Sequence, residues 1–302
     1  MRGQRYPRRG VVIANIATLF FGLAGVLGKL SGLPAPLITF GRVCFAGVAL
    51  GLWALATHIP LHARGRRDVA LLALQGVILA AHWTAFFQAI VVSNVAIGLL
   101  AFSSFPLFTA ALEPLILRQR PGAPETLAAL LILPGIALLT PSLSLGSDIT
   151  RGVLWGLLAG ATFALLSVLN RQMAARYPSV MISLYQDGVA ALVLAPTVFF
   201  VSASSDLTPQ AILLLAALGL FCTALAHTLF IASMRDITAQ LASVIAALEP
   251  VWGVLFAWFA LSETPAARTL LGGALIVGAA LLPGVVALVR RQGARALADR
   301  PV

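Results

Sequence analysis

An all-α membrane protein of ten transmembrane helices, arranged as two inverted five-helix repeats, is the fold this sequence predicts. Three observations carry that expectation. The 302-residue chain is 60% hydrophobic and only 10% charged, with a mean hydropathy of +0.99. One soluble core cannot hide that much apolar surface, so lipid must be part of the solvent. Ten segments, some marginally, reach the length of about 20 apolar residues that a helix needs to cross the hydrocarbon. A single offset of 144 residues carries the first half onto the second, pairing Pro106 with Pro250, Leu50 with Leu194, Phe86 with Phe230 and Pro121 with Pro265.

The ten segments run roughly over 11–30, 35–57, 69–92, 94–117, 125–141, 151–172, 179–202, 209–233, 238–260 and 266–289. Arg2, Arg5, Arg8 and Arg9 ahead of the first give it the look of a signal peptide, but it is long enough to span and reads as an uncleaved helix. The expected units are a first repeat over 11–141, a second over 151–289, and cytoplasmic tails over 1–10 and 290–302. With the N-terminus in the cytoplasm of a bacterial inner membrane, sixteen of the twenty basic residues fall on the cytoplasmic side. Only Lys29, Arg42, Arg151 and Arg268 lie towards the other face, which sets both termini inside. Five is odd, so the second repeat starts from the opposite side. The basic turn Arg118-Gln119-Arg120-Pro121 accordingly maps onto Ser262-Glu263-Thr264-Pro265. Inverted repeats around a midplane site are the architecture of secondary transporters.

The formal charge of +10 therefore records topology, and no nucleic-acid partner is implied. Cys44 and Cys222 lie inside spans as packing residues, and no cofactor or metal is indicated. Small residues at Gly47/Gly51, Gly156/Gly160 and Ala274/Gly278 predict helix-packing faces. In the first helix Asn15, Thr18, Gly22, Gly25 and Lys29 share one side, and Gly160, Ala164, Ser167 and Arg171 echo the stripe in the sixth at an offset of 142. Such a stripe should face the interior, lining a cavity or packing.

An ionisable group at the bilayer centre costs roughly 2.5–3.5 kcal/mol, so it needs a partner or a task. Glu249, deep in the ninth span before Pro250, either meets a substrate ammonium or a transferable proton, or bonds a neighbouring helix beside a proline kink. Pro106 and Pro250 are expected hinges. His82 shares a helix face with Gln75 and Phe86, and either lines the path or satisfies an interhelical bond. His227 reads as structural. Arg42 and its mate Gln186, flanked by Tyr185 and Asp187, sit at matched depths as vestibule groups guiding a zwitterion, unless Arg42 snorkels to the interface and Asp187 pairs with Arg176 or Arg171. Trp83, Phe86, Phe102, Phe105 and Trp252 cluster at similar depth, and Phe105 is the mate of Glu249. An apolar wall opposite an acidic one would favour an amphipathic substrate.

Leu248-Glu249-Pro250-Val251 followed by Leu261-Ser262-Glu263-Thr264-Pro265, with Phe105-Pro106-Leu107-Phe108 in the first half, resembles the drug/metabolite transporter superfamily, in its ten-helix group with two EamA domains. Arg42 also stands where such proteins commonly carry an Arg, while Arg118-Gln119 departs from their usual Gly-Glu. The resemblance spans residues 11–288. It implies a pore between the repeats, alternating access, and export of amino acids, including aromatic ones, or related metabolites.

The leading expectation is thus an exporter of a small amphipathic metabolite across the lipid bilayer, with proton coupling through Glu249 as a weaker expectation. No midplane Lys or Arg is visible, which argues against carriers of phosphorylated substrates. A multidrug exporter is the alternative within the class. An intramembrane enzyme would need a Ser-His-Asp, paired-carboxylate or metal constellation, which the spans do not offer. A non-transporting scaffold sits poorly with inverted repeats. The pattern sets no oligomeric state.

Overall fold

The computed structural model describes residues 8–117, 123–139, 144, 146–201, 207–237 and 239–298. Its elements are α1 (Arg8–Leu30), α2 (Ala35–Ala56), α3 (Arg66–Val92), α4 (Val95–Phe102), α5 (Phe105–Leu117), α6 (Ala123–Leu139), α7 (Asp148–Ala174), α8 (Ser179–Val201), α9 (Pro209–Gly219), a π-helical turn (Leu220–Leu225), α10 (Ala226–Ser233), α11 (Ala239–Ala246), α12 (Glu249–Leu261) and α13 (Ala267–Ala298). The protein is all-helical among the described residues. Large side chains such as Leu52, Leu115, Leu192, Phe199 and Phe259 point outward. That apolar exterior is solvated by lipid, where a helix satisfies its own backbone.

The 144-residue offset recurs in the element boundaries. It separates the starts of α2 and α8, α4 and α11, α5 and α12, and α6 and α13. Packing follows the same exchange: α1 lies against α9 to α12, and its counterpart α7 lies against α3 to α5. The two halves run in opposite senses. At one end Gly10 of α1 approaches Ser233 and Asp236, Tyr185 donates to the Leu61 carbonyl at 3.0 Å, and Tyr177 hydrogen-bonds Asp68. At the other, Lys29 pairs with Glu263 at 2.6 Å, Glu263 accepts from the Val95 amide at 3.1 Å, and Gly152 meets Ser93. So α1 starts at the first end, the Arg64 end, while α7 starts at the second, the Lys29 end, and finishes at the first.

Seven helical stretches are long and apolar enough to cross a membrane, among the described residues. The other three expected spans fall on the shorter apolar helices within α6, the α11–α12 pair and α13. Two of the ten expected spans are broken, at 103–104 and at 247–248. Pro106 and Pro250 are not mid-helix kinks, because each is the second residue of the helix that follows its break. A first-turn Pro forfeits only an N–H that has no helical partner there. The breaks are alike in bonding: the Leu107 amide donates to the Ser104 carbonyl at 2.9 Å and the Val251 amide to Leu248 at 3.1 Å.

Helix contacts run through glycine, but not through every face expected. A Cβ on Gly22 would stand 2.6 Å from the Trp252 Cβ, and one on Gly160 would lie 3.0 Å from the Phe102 carbonyl. Gly135 and Gly272 meet reciprocally across α6 and α13. By contrast Gly47, Gly51 and Gly278 meet nothing within 4 Å, so those pairs face outward. The turn at 118–121 lies outside the described residues.

Candidate functional site

Midway along the bundle the helices close on a narrow cavity of about 20 Å³ lined by Phe21, Ala24, Arg42, His82, Trp83, Phe86, Phe102, Phe163, His227 and Glu249. The site is made from repeat mates. Trp83 and His227 are 144 residues apart and meet edge to face, ring centroids 5.4 Å apart. Phe86 and Phe230 form another pair, and at the 142-residue offset so do Phe21 and Phe163. The Phe163 ring lies 5.6 Å from Phe230, tilted, and 5.3 Å from Phe102, edge to face, and Phe21 lies 5.6 Å from Phe230. Inverted helices bring equivalent positions face to face, which is why the wall of the cavity is aromatic from both sides.

Arg42 of α2 is fully buried, 1% exposed, and does not snorkel. Its Nε donates to Thr223 Oγ1 at 2.8 Å and its Nη2 to the Cys222 carbonyl at 3.1 Å. The guanidinium also lies 3.9 Å over the Trp83 ring. The π-helical turn makes this possible: a π turn leaves backbone groups out of the usual ladder, and Thr223 uses its hydroxyl on the Leu218 carbonyl at 2.9 Å. A midplane cation therefore exists, and the sequence argument against phosphorylated substrates from the lack of one is corrected. Sequence position alone sets the guanidinium near a membrane edge, because α2 starts only seven residues earlier; the fold packs that part of α2 against the π turn.

Glu249 is 4% exposed, lines the cavity, and makes no hydrogen bond among the described residues. Arg42 and Glu249 share the chamber without pairing to each other. His82 donates Nδ1–H to the Ala159 carbonyl at 2.9 Å. His227 is not merely structural: it lines the cavity through its ring while Nε2 meets Gln186 Oε1 at 3.0 Å. Gln186 in turn donates to Gln75 at 2.9 Å and Asn170 at 2.6 Å, tying α3, α7, α8 and α10 together between the cavity and the Arg64 end. Asp187 is wholly buried with neither carboxylate oxygen partnered among the described residues. It does not pair with Arg176, which lies 3.4 Å from Asp68.

Other expected site residues stand elsewhere. Asn15 is exposed and bonds its own helix at the Val11 carbonyl, 2.9 Å away, so the small-residue stripe turns inward only from Thr18. Tyr185 reaches the Arg64 end of the bundle, away from the cavity. Trp252, 39% exposed, faces outward and does not line the cavity. Phe105 is buried one layer behind the wall, 5.0 Å from Phe163. Sequence reasoning missed Phe21, Ala24 and Phe163 as wall residues. The signal was available, because the offset of 142 that matched the glycine stripes also matches those two phenylalanines. No group of three metal-ligating side chains comes together among the described residues.

A broken-helix inverted bundle enclosing a charged, aromatic-walled chamber defines a small-molecule membrane transporter. The EamA-like transporter family matches residues 8–140 and again 150–284, and the chain belongs to that family. It is 29% identical to the transporter YwfM of Bacillus subtilis (strain 168) over 280 residues, 92% of this chain and 93% of that one. It is 28% identical over 281 residues to the pseudopaline exporter CntI of Pseudomonas aeruginosa (strain UCBPP-PA14), 91% of this chain and 95% of the relative. A solved crystal structure with 21% identity superposes with a TM-score of 0.72, covering 92% of this chain and 98% of that one. The protein is thus a multi-pass transporter of a small molecule in the lipid bilayer, and not an enzyme.

Proposed function

We propose that this transporter exports small amphipathic zwitterions, amino acids above all, by alternating access. One observation carries the reading: a guanidinium and a carboxylate that do not pair with each other line the same aromatic-walled cavity. A substrate carboxylate would take the open side of Arg42, its ammonium would meet Glu249, and an apolar side chain would lie on Phe86, Phe102 and Phe163. A phosphate dianion suits the site less well, because Glu249 would repel it. The likeness to an exporter supports the direction of transport.

The Arg64 end carries Arg8, Arg9, Arg64, Arg66, Arg67, Arg171, Arg176 and Arg235, against Lys29, Arg151 and Arg268 at the other, and positive charge is retained inside. On that account the Arg64 end is cytoplasmic, with both termini there and the membrane the bacterial inner one. The repeats, over 11–141 and 151–289, would rock about the chamber with the breaks beside Pro106 and Pro250 as hinges. The Gln186 network would close the inner side and the Lys29–Glu263 pair the outer side in turn. Glu249 would couple a proton, since a protonated carboxyl no longer holds an ammonium and the two ligands then exclude each other.

Purified protein in liposomes should move labelled phenylalanine or threonine, and Glu249→Gln should abolish the pH dependence of that flux. A panel of labelled amino acids, peptides and drugs that returns flux only for non-zwitterions would overturn the proposal.

A further inference from the structure

We propose that His82 selects among these zwitterions by accepting a hydrogen bond from the substrate's side chain, so that amino acids with an N–H or O–H on an aromatic ring pass in preference to plain hydrocarbon rings. This deepens the amino-acid reading above and rests on it. The Ala159 carbonyl can only accept, so the bond to it fixes the tautomer with hydrogen on Nδ1. Nε2 is then left with a lone pair and no partner among the described residues, on a ring that lines the cavity.

The surroundings of that lone pair give it its meaning. His82 lies 5.1 Å from Phe163, 5.5 Å from Phe102 and 6.3 Å from Phe86, ring centroid to ring centroid. It is the imidazole set among the phenylalanines, while Arg42 and Glu249 are the groups suited to the charged head of a zwitterion. A substrate ring seated on the phenylalanines brings its edge to the imidazole. A ring with a donor there satisfies Nε2. A ring without one displaces water from Nε2 and leaves it bare, and a buried acceptor without a partner is costly. Sites built to bond a substrate donor reject the analogue that lacks it more strongly than apolar pockets reject an added group. The repeat mate of His82 is Ala226, so this acceptor has no counterpart at the equivalent position of the second half.

The test compares tryptophan with 1-methyltryptophan, which keeps the indole and the zwitterion but has no ring N–H, and tyrosine with phenylalanine, in proteoliposomes holding the full chain. In the native protein KM should be about tenfold lower for tryptophan than for its methylated analogue, and likewise for tyrosine than for phenylalanine. In His82→Phe, which keeps the aromatic volume, both gaps should close. Equal KM values within each pair for the native protein would overturn the role of His82 while leaving the amino-acid reading intact. Gaps that persist in His82→Phe would overturn it as well. Absence of flux for every labelled amino acid would instead remove the reading on which this one rests. The first comparison varies only the substrate, so it stands even if the variant fails to fold.

Discussion

Replacing Arg42 by glutamine separates its two tasks, bracing the π turn and meeting a substrate. Its bonds to Thr223 at 2.8 Å and to the Cys222 carbonyl at 3.1 Å are charge-assisted, each worth about 1.5–3 kcal/mol. The stack on Trp83 at 3.9 Å adds up to about 2 kcal/mol in a desolvated setting. Glutamine can restore one neutral bond of about 1 kcal/mol, so folding stability should fall by about 2 kcal/mol or more. A carboxylate that loses a buried cationic partner gives up about 2–5 kcal/mol of binding, and about 1.4 kcal/mol is a factor of ten. KM for a zwitterion should therefore rise at least about 30-fold. Thermal melting in detergent reads the first effect and proteoliposome flux the second. Arg42→Lys keeps the charge but loses the planar fork, so it should recover part of the affinity and little of the stability. If Arg42→Gln melts early yet keeps its KM within threefold, the guanidinium is a strut for the π turn and the binding argument is wrong.

Gly22→Ala would put a methyl 2.6 Å from Trp252 Cβ and 3.0 Å from the Glu249 carbonyl; overpacking of this kind costs about 1–3 kcal/mol, seen as a lower melting temperature with reduced flux. Gly47→Ala, which meets nothing within 4 Å, serves as its control and should melt like the native protein. Trp252→Phe alters an outward-facing ring and should leave KM unchanged, and a large KM effect would put that side chain in the chamber after all. Reporter fusions should place both the residue 58–64 loop and the C-terminus in the cytoplasm, and an external location for either would invert the proposed direction of the site.

The all-helical membrane fold was legible because lipid leaves a chain few choices. Apolar stretches long enough to span must be helices, and the 144-residue offset that reappears in four helix starts could be read from pairs such as Pro106 with Pro250 and Pro121 with Pro265. Depth was legible too: Glu249, His82, Trp83 and Phe86 line the chamber as their positions along the spans implied. Facing was not. Asn15 and Trp252 share helices with wall residues or with Glu249 but point outward, because periodicity identifies a stripe without saying which neighbour covers it.

Arg42 makes the distinction sharpest. Its place in the chain marks a cation near a membrane edge, and hydropathy assigns it to the interface, since a long side chain can usually reach water. Only the packed bundle decides otherwise, by setting a π turn from the other repeat against α2 so that Thr223 and the Cys222 carbonyl replace that water. Local pattern dictates which segments cross the bilayer, because that cost is paid residue by residue. Which polar groups meet at the centre depends on contacts some 180 residues apart, and those exist only once the two halves have folded around each other.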